Sequence, residues 1–213
     1  MTILERARAD VRDAWTATSA GEHYRGARWA STRRRERDAV RLRALIERHA
    51  PDALRGATWL DVACGTGRLA HSWQPAARNY LGIDASPAML AEHPLSGRVA
   101  RADAFRLPFA TDSFELVVAC RFLHHLVQRA DLDAAVDELC RVTRELVAVT
   151  FWDSRSLADW RRPKRGDRAD DPRVARPGTE LVEAFERAGA RVLEMRHSFR
   201  FVSRQAYLVA RVR

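Results

Sequence analysis

Apolar residues recur along this chain at two different periods. Leu4, Ala7, Val11 and Trp15 fall on one face at helical spacing, and Leu42, Leu45, Ile46 and His49 fall on another. These positions predict two amphipathic helices, joined through a loop at residues 19–24 and stopped by Pro51-Asp52. From residue 57 onward, short apolar runs alternate with helical stretches. Strands are expected at 57–62, 80–83, 97–101, 114–119 and 146–151, with a helix over 131–142 whose Leu132, Val136 and Leu139 make one stripe. This alternation predicts an α/β fold with a mostly parallel sheet and helices on both faces. The tail reads as a helix over 179–188 ended by Gly189, then two extended runs, 191–201 and 204–212, near enough to pair as a terminal hairpin. Residues 153–177 are rich in Arg, Asp, Pro and Gly, which predicts a long loop or lid.

The length of 213 residues suits a single domain, 1–213. Within it we expect a helical cap at 1–50, a cofactor-binding core at 57–150, the lid, and a closing helix with hairpin at 178–213. The first residues carry charges where a secretory signal needs an apolar stretch, and no run reaches the ~20 apolar residues of a membrane span. A soluble, cytoplasmic protein is therefore expected, as monomer or homodimer. Cys64, Cys120 and Cys140 are too scattered for a zinc site or a disulfide framework. A formal charge of +9 invites a nucleic-acid reading. Lys164 is the only lysine among 37 basic residues, however, so part of that charge reflects an arginine bias of codon usage.

The strongest chemical signal is the run Trp59-Leu60-Asp61-Val62-Ala63-Cys64-Gly65-Thr66-Gly67-Arg68-Leu69-Ala70, a strand that turns through glycines and opens a helix. Without Cβ atoms at Gly65 and Gly67 the backbone can bend tightly and approach a nucleotide-like ligand. The spacing Gly65-x-Gly67-x-x-Ala70 also satisfies the dinucleotide fingerprint, so an NAD-dependent oxidoreductase is an alternative. Tyr80-Leu81-Gly82-Ile83-Asp84 ends the second strand in an acid able to accept both ribose hydroxyls of an adenosine. The place of Asp84 at a strand end beside a glycine turn favours ribose binding over merely capping the following helix, while Met89 could be core and Asp103 could simply hold its loop.

Three segments in order and spacing carry a resemblance: residues 61–67, residues 82–90, and Asp103-Ala104 through Leu107-Pro108-Phe109 to Ser113-Phe114-Glu115. Over about residues 57–150 the chain is similar to class I S-adenosylmethionine-dependent methyltransferases, small-molecule enzymes with a Rossmann-like seven-stranded sheet that ends in an antiparallel hairpin. The resemblance implies S-adenosylmethionine as cofactor. It implies that Asp61 and the turn Ala63, Cys64, Gly65 and Gly67 face the methionine moiety. Asp84 with Ala85 would hold the ribose, Met89 would pack on adenine, and Asp103 with the Ala104 amide would read the adenine edge. Cys120 and Arg121, just after the fourth strand, join this set. Ala63 departs from the pattern, since the family often has a third glycine there.

A sulfonium methyl is already electrophilic, so alignment of the acceptor supplies most of the catalysis, ~7 to 11 kcal/mol. His124 or His125 could take a proton from a hydroxyl or amine acceptor, because imidazole titrates near neutral pH, or they could pack beside the cofactor. Tyr24 and Arg28, between the opening helices, could pair with the cofactor carboxylate or an acidic substrate. No Asn/Asp-Pro-Pro-aromatic motif and no Pro-Cys nucleophile is present, which disfavours a nucleic-acid substrate. The expected acceptor is a small molecule methylated at oxygen. A non-catalytic module that binds RNA or protein through its arginines is the remaining alternative.

Overall fold

The computed structural model describes residues 32–73, 79–157, 173–199 and 202–212, with side chains from Glu36 onward. Seven strands form one sheet: β1 (Trp59–Val62), β2 (Tyr80–Asp84), β3 (Val99–Arg101), β4 (Phe114–Ala119), β5 (Thr143–Trp152), β6 (Ala190–His197) and β7 (Gln205–Val212). Their spatial order is β3-β2-β1-β4-β5-β7-β6. The first five are parallel, and β7 runs antiparallel between β5 and β6. The chain leaves β1 toward β2 and β3, then returns to the other side of β1 as β4. That reversal is the point where an open α/β sheet leaves a crevice beyond its strand ends.

The described helices are α1 (Thr32–His49), α2 (Arg68–Ser72), α3 (Pro87–Leu90), α4 (Arg129–Val142) and α5 (Gly178–Arg187). Alternation along the strands divides the core in two. Val117 and Ala119 of β4 face Leu132, Val136 and Leu139 of α4 and Leu181 and Phe185 of α5. Leu116 and Val118 face the other way, onto Leu42, Leu45 and Ile46 of α1, Leu69 of α2, and Trp73. Both faces are covered, which is why the central strands read as continuous apolar runs.

The second predicted helix, the five strands and the terminal hairpin are all found. The first helix, over Leu4 to Trp15, lies outside the described residues. β5 starts at Thr143, three residues before the apolar run that predicted it. Thr143 pairs with Phe114, and its hydroxyl donates to the Leu139 carbonyl at 2.6 Å, so α4 passes directly into the strand. Of the predicted lid, residues 158–172 lie outside the described residues, and its described ends are bonded to the sheet and to the loop before α4. The Asp153 amide donates to Arg204 and the Arg176 amide to Trp152, while the Arg176 guanidinium donates to the carbonyls of Leu126 and Val127, each at 2.7 Å. Among the described residues, no helix is long and apolar enough to cross a membrane.

Leu208 is fully buried at the middle of β7, where truncation leaves a cavity between two covered faces. Leu208→Ala is expected to lower unfolding stability by about 2–5 kcal/mol in urea titration, with an unchanged slope, whereas Val202→Ala at an exposed position changes it by less than about 0.5 kcal/mol.

Candidate active site

A cleft of about 180 Å³ opens at the C-terminal ends of β1, β2 and β4. Its floor is the turn after β1. Cys64 continues the ladder by donating its amide to the Ile83 carbonyl at 2.9 Å, and Gly67 closes the turn on the Cys64 carbonyl at 3.0 Å. Gly65 and Gly67 take φ of +56° and +81°. Ala63 takes +57° without being glycine, a left-handed conformation that costs roughly 1–2 kcal/mol in an L residue. At Gly65 an added Cβ would meet nothing within 4 Å, so this backbone faces open space. At Gly67 a Cβ would run into Pro94 and the His93 ring. The two glycines therefore do different work: Gly65 leaves room above the turn, and Gly67 lets the chain pack beneath it.

Asp84 ties the floor to the next strand. One carboxylate oxygen accepts the Gly65 amide and the other accepts the Ser86 amide, each at 2.9 Å. Burial raises the carboxyl above its usual range, and the amides of Ser86 and Gly65 oppose that rise. Ser86 also caps α3, its hydroxyl accepting the Met89 amide at 3.3 Å. Asp103 accepts the Phe105 amide at 3.0 Å, which holds the loop after β3.

The cleft brings together Ala63, Cys64, Gly65, Asp84, Ala85, Met89, Asp103, Ala104, Cys120, Arg121 and His125 from the sequence expectations. Three others stand behind it. Gly67 faces His93. His124 is 2% exposed, with its ring stacked on Trp152 at 4.3 Å and 4.4 Å from the His125 ring. Burial, then the charges of His125, Arg121, Arg173 and Arg204, push its pKa far down, so it is a neutral packing group outside the cleft lining. Asp61, expected at the cofactor, is instead 1% exposed beneath the turn. Tyr24 and Arg28 lie outside the described residues.

Asp61 ends a buried chain of hydrogen bonds. The Leu95 amide donates to His93 Nδ1 at 3.1 Å, so the proton of the neutral ring sits on Nε2, which faces the Tyr80 hydroxyl at 2.8 Å. Tyr80 donates in turn to Asp61 at 3.3 Å. Burial pushes Asp61 up to about 8, with Tyr80 opposing and the Asp84 charge adding to the rise. Burial, with His71 adding, lowers His93 to about 4. Cys120, also desolvated, is pushed up to about 12, and Cys64 lies higher still, so neither cleft thiol is a nucleophile at neutral pH.

The sequence reading missed Arg68, Ser86, Phe105, Phe122 and Asp131 of the lining. It also missed Asp38, whose buried carboxylate lies 3.7 Å from Arg68 and 3.5 Å from Arg121. Asp38 shares α1 with the acids Glu36 and Glu47, and nothing in the sequence shows what it meets.

A native carboxyl at about 8, against an ordinary 3.8, keeps a proton that the unfolded chain has already released. Asp61 therefore contributes less to stability as pH rises from about 4 to about 8. The stability difference between wild type and Asp61→Asn, read from denaturant midpoints, is expected to move in favour of the variant between about pH 5 and about pH 8. A gap independent of pH would contradict the burial argument.

Residues 60–149 match the family model described as a methyltransferase domain. An uncharacterised methyltransferase of Mycolicibacterium vanbaalenii is 33% identical over 106 residues, covering 46% of this chain and 40% of its own. A malonyl-[acyl-carrier protein] O-methyltransferase of Pectobacterium atrosepticum is 33% identical over 123 residues, 56% of this chain and 44% of its own. The chain thus matches less than half the length of these curated relatives. Among solved structures, magnesium protoporphyrin IX methyltransferase from Synechocystis with bound adenosylhomocysteine superposes with a TM-score of 0.74 at 16% identity, over 96% of this chain and 99% of that one. Dinucleotide-binding folds have the strand order 3-2-1-4-5-6. Here β7 is inserted antiparallel between β5 and β6, which that order lacks. With the turn after β1, this topology is shared with the solved methyltransferase structures, and residues 60–149 match a methyltransferase domain.

Proposed function

We propose that this protein transfers the methyl group of S-adenosylmethionine to an oxygen atom of a small-molecule acceptor in the cytoplasm. The observation that carries the reading is Asp84: a carboxylate at the end of β2, fixed by two backbone amides and lining a cleft whose floor is open above Gly65. A carboxylate has about four acceptor sites, so two amides leave capacity for the two hydroxyls of a ribose. Apolar Met89 and Ile83 beside it suit an adenine ring, and Asp103 with the Ala104 amide supplies polar edges. The residues present therefore fit an adenosyl group. When bound, the cofactor supplies a methyl carbon on a sulfonium, which needs no further activation.

The remaining work falls to the acceptor side. His125 lines the cleft beside the His124 ring, which supports reading it as the base that takes the acceptor's hydroxyl proton on a ring nitrogen. Phe122 and Leu126 beside it exclude water from that proton transfer. The O-methylating relative supports oxygen as the acceptor atom, and the three free thiols suit a reducing compartment.

Calorimetry with adenosylhomocysteine should show binding to wild type, and Asp84→Asn should weaken it tenfold or more, since charged hydrogen bonds contribute ~1.5–3 kcal/mol. Wild-type protein that ignores both adenosylhomocysteine and adenosylmethionine would refute the assignment. His125→Asn should keep that affinity and lower the rate of methyl transfer to a labelled acceptor from fractionated lysate by about 10²-fold or more; an unchanged rate removes His125 as the base.

A further inference from the structure

The residues on either side of His125 are held by a segment that follows them by 50 positions. His125 closes a single 3₁₀ turn, Leu123–His125, which two hydrogen bonds shape: the His125 amide donates to Phe122 at 2.9 Å and the Leu126 amide to Leu123 at 3.2 Å. A turn this short has poor hydrogen-bond geometry and leaves its last carbonyls without partners of its own. Residues 173–177 supply the donors. The Val174 amide donates to the His124 carbonyl at 2.8 Å. Arg176 donates through one guanidinium nitrogen to the carbonyls of Leu126 and Val127, each at 2.7 Å. Gln128, the residue that opens α4, adds no side-chain capping bond, so Arg176 secures the extended link between the turn and that helix.

Arg176 is itself rigidly aimed. Its amide donates to the Trp152 carbonyl at 2.8 Å and its carbonyl accepts the Ser154 amide at 3.1 Å, which fastens its backbone to the end of β5. A second guanidinium nitrogen donates at 2.6 Å to Glu180, in the first turn of α5. Stability alone is a poor account of so buried an arginine. Its side chain is 11% exposed, and Nε has no hydrogen-bond partner among the described residues. A buried ion pair often gains no more than apolar side chains of similar volume, and an orphaned buried donor costs free energy. What the guanidinium adds is direction, because its planar fork reaches two carbonyls and a carboxylate at once. His125 and Leu126 line the cleft, whereas Arg176 stands outside that lining.

We infer that Arg176 is a positioning residue: by holding the carbonyls of Leu126 and Val127 it fixes the turn that presents His125 to the acceptor. Its consequence for the rate rests on the reading of His125 as the base, while its hold on the turn does not. Hydrogen exchange followed by NMR reads the hold directly. Arg176→Gln is expected to speed exchange of the His125 and Leu126 amides about tenfold or more, with the Cys64 amide in the turn after β1 within about twofold of wild type. Unchanged exchange at the His125 turn overturns the inference, and so does a loss of protection that Cys64 shares equally. Arg176→Lys keeps the charge without the fork and should lie between the two. If the Gln variant fails to fold, the Lys variant is read in its place: a rise of about threefold confined to the His125 turn is expected, and no rise overturns the inference. For the rate, labelled adenosylmethionine is supplied with the lysate fraction that wild type methylates. Arg176→Gln should slow transfer at saturating fraction about tenfold or more, while adenosylhomocysteine affinity stays within about threefold. In the His125→Asn background the same substitution should cost less than about twofold, because the base it positions is gone. Equal losses in both backgrounds overturn action through His125. A His125→Asn variant as fast as wild type defeats the base reading instead, and hydrogen exchange then decides the role of Arg176 by itself.

Discussion

The structure turns on one carboxylate. Asp84 accepts an amide from the turn after β1 and another from the start of α3, so a single side chain fixes the floor and one wall of the cleft relative to each other. Hydrogen bonds to a charged group are about twice as strong as neutral ones. A turn that holds left-handed residues at Ala63, Gly65 and Gly67 needs such an anchor, because its own backbone gains little from the conformation.

Beneath the turn the packing is tight. His93, Tyr80 and Asp61 pass a hydrogen bond inward from the Leu95 amide, and Trp59 stacks its edge near Tyr80 at 4.6 Å. Gly67 and Gly82 are needed for this layer: a Cβ at either would collide with His93 and Pro94 or with Tyr80 and Cys64. Desolvation pushes Asp61 and Tyr80 up and His93 down, which keeps this layer neutral, while the cleft above it is lined by the acids Asp84, Asp103 and Asp131 together with Arg68 and Arg121.

The N-terminal helix belongs to the same unit. Leu42, Leu45 and Ile46 of α1 pack on the sheet, and Asp38, one turn earlier on the same helix, reaches Tyr207 of β7 and both cleft arginines. Burial of the apolar stripe positions the acid, and the acid positions the guanidiniums. Elements far apart in sequence, from residue 38 to residue 207, are thereby brought to one end of one cleft.

Periodicity fixed the elements because helical and extended stripes have different repeats, and the covered sheet demanded continuous apolar strands such as 146–151. Spacing along one strand-turn-helix fixed Gly65, Gly67 and Asp84, since that chemistry is local. What the sequence left open was every choice made across the sheet. Two adjacent histidines look alike in sequence, yet His125 lines the cleft and His124 lies under Trp152, because successive residues of a tight turn point apart. Asp61 lies one residue before the end of β1 and Asp84 ends β2, yet burial neutralises the first and amides hold the second at the cleft. Asp38 had no sequence signal at all: its role exists only where α1, β4 and β7 meet, and long-range packing alone decides which buried charges share a partner.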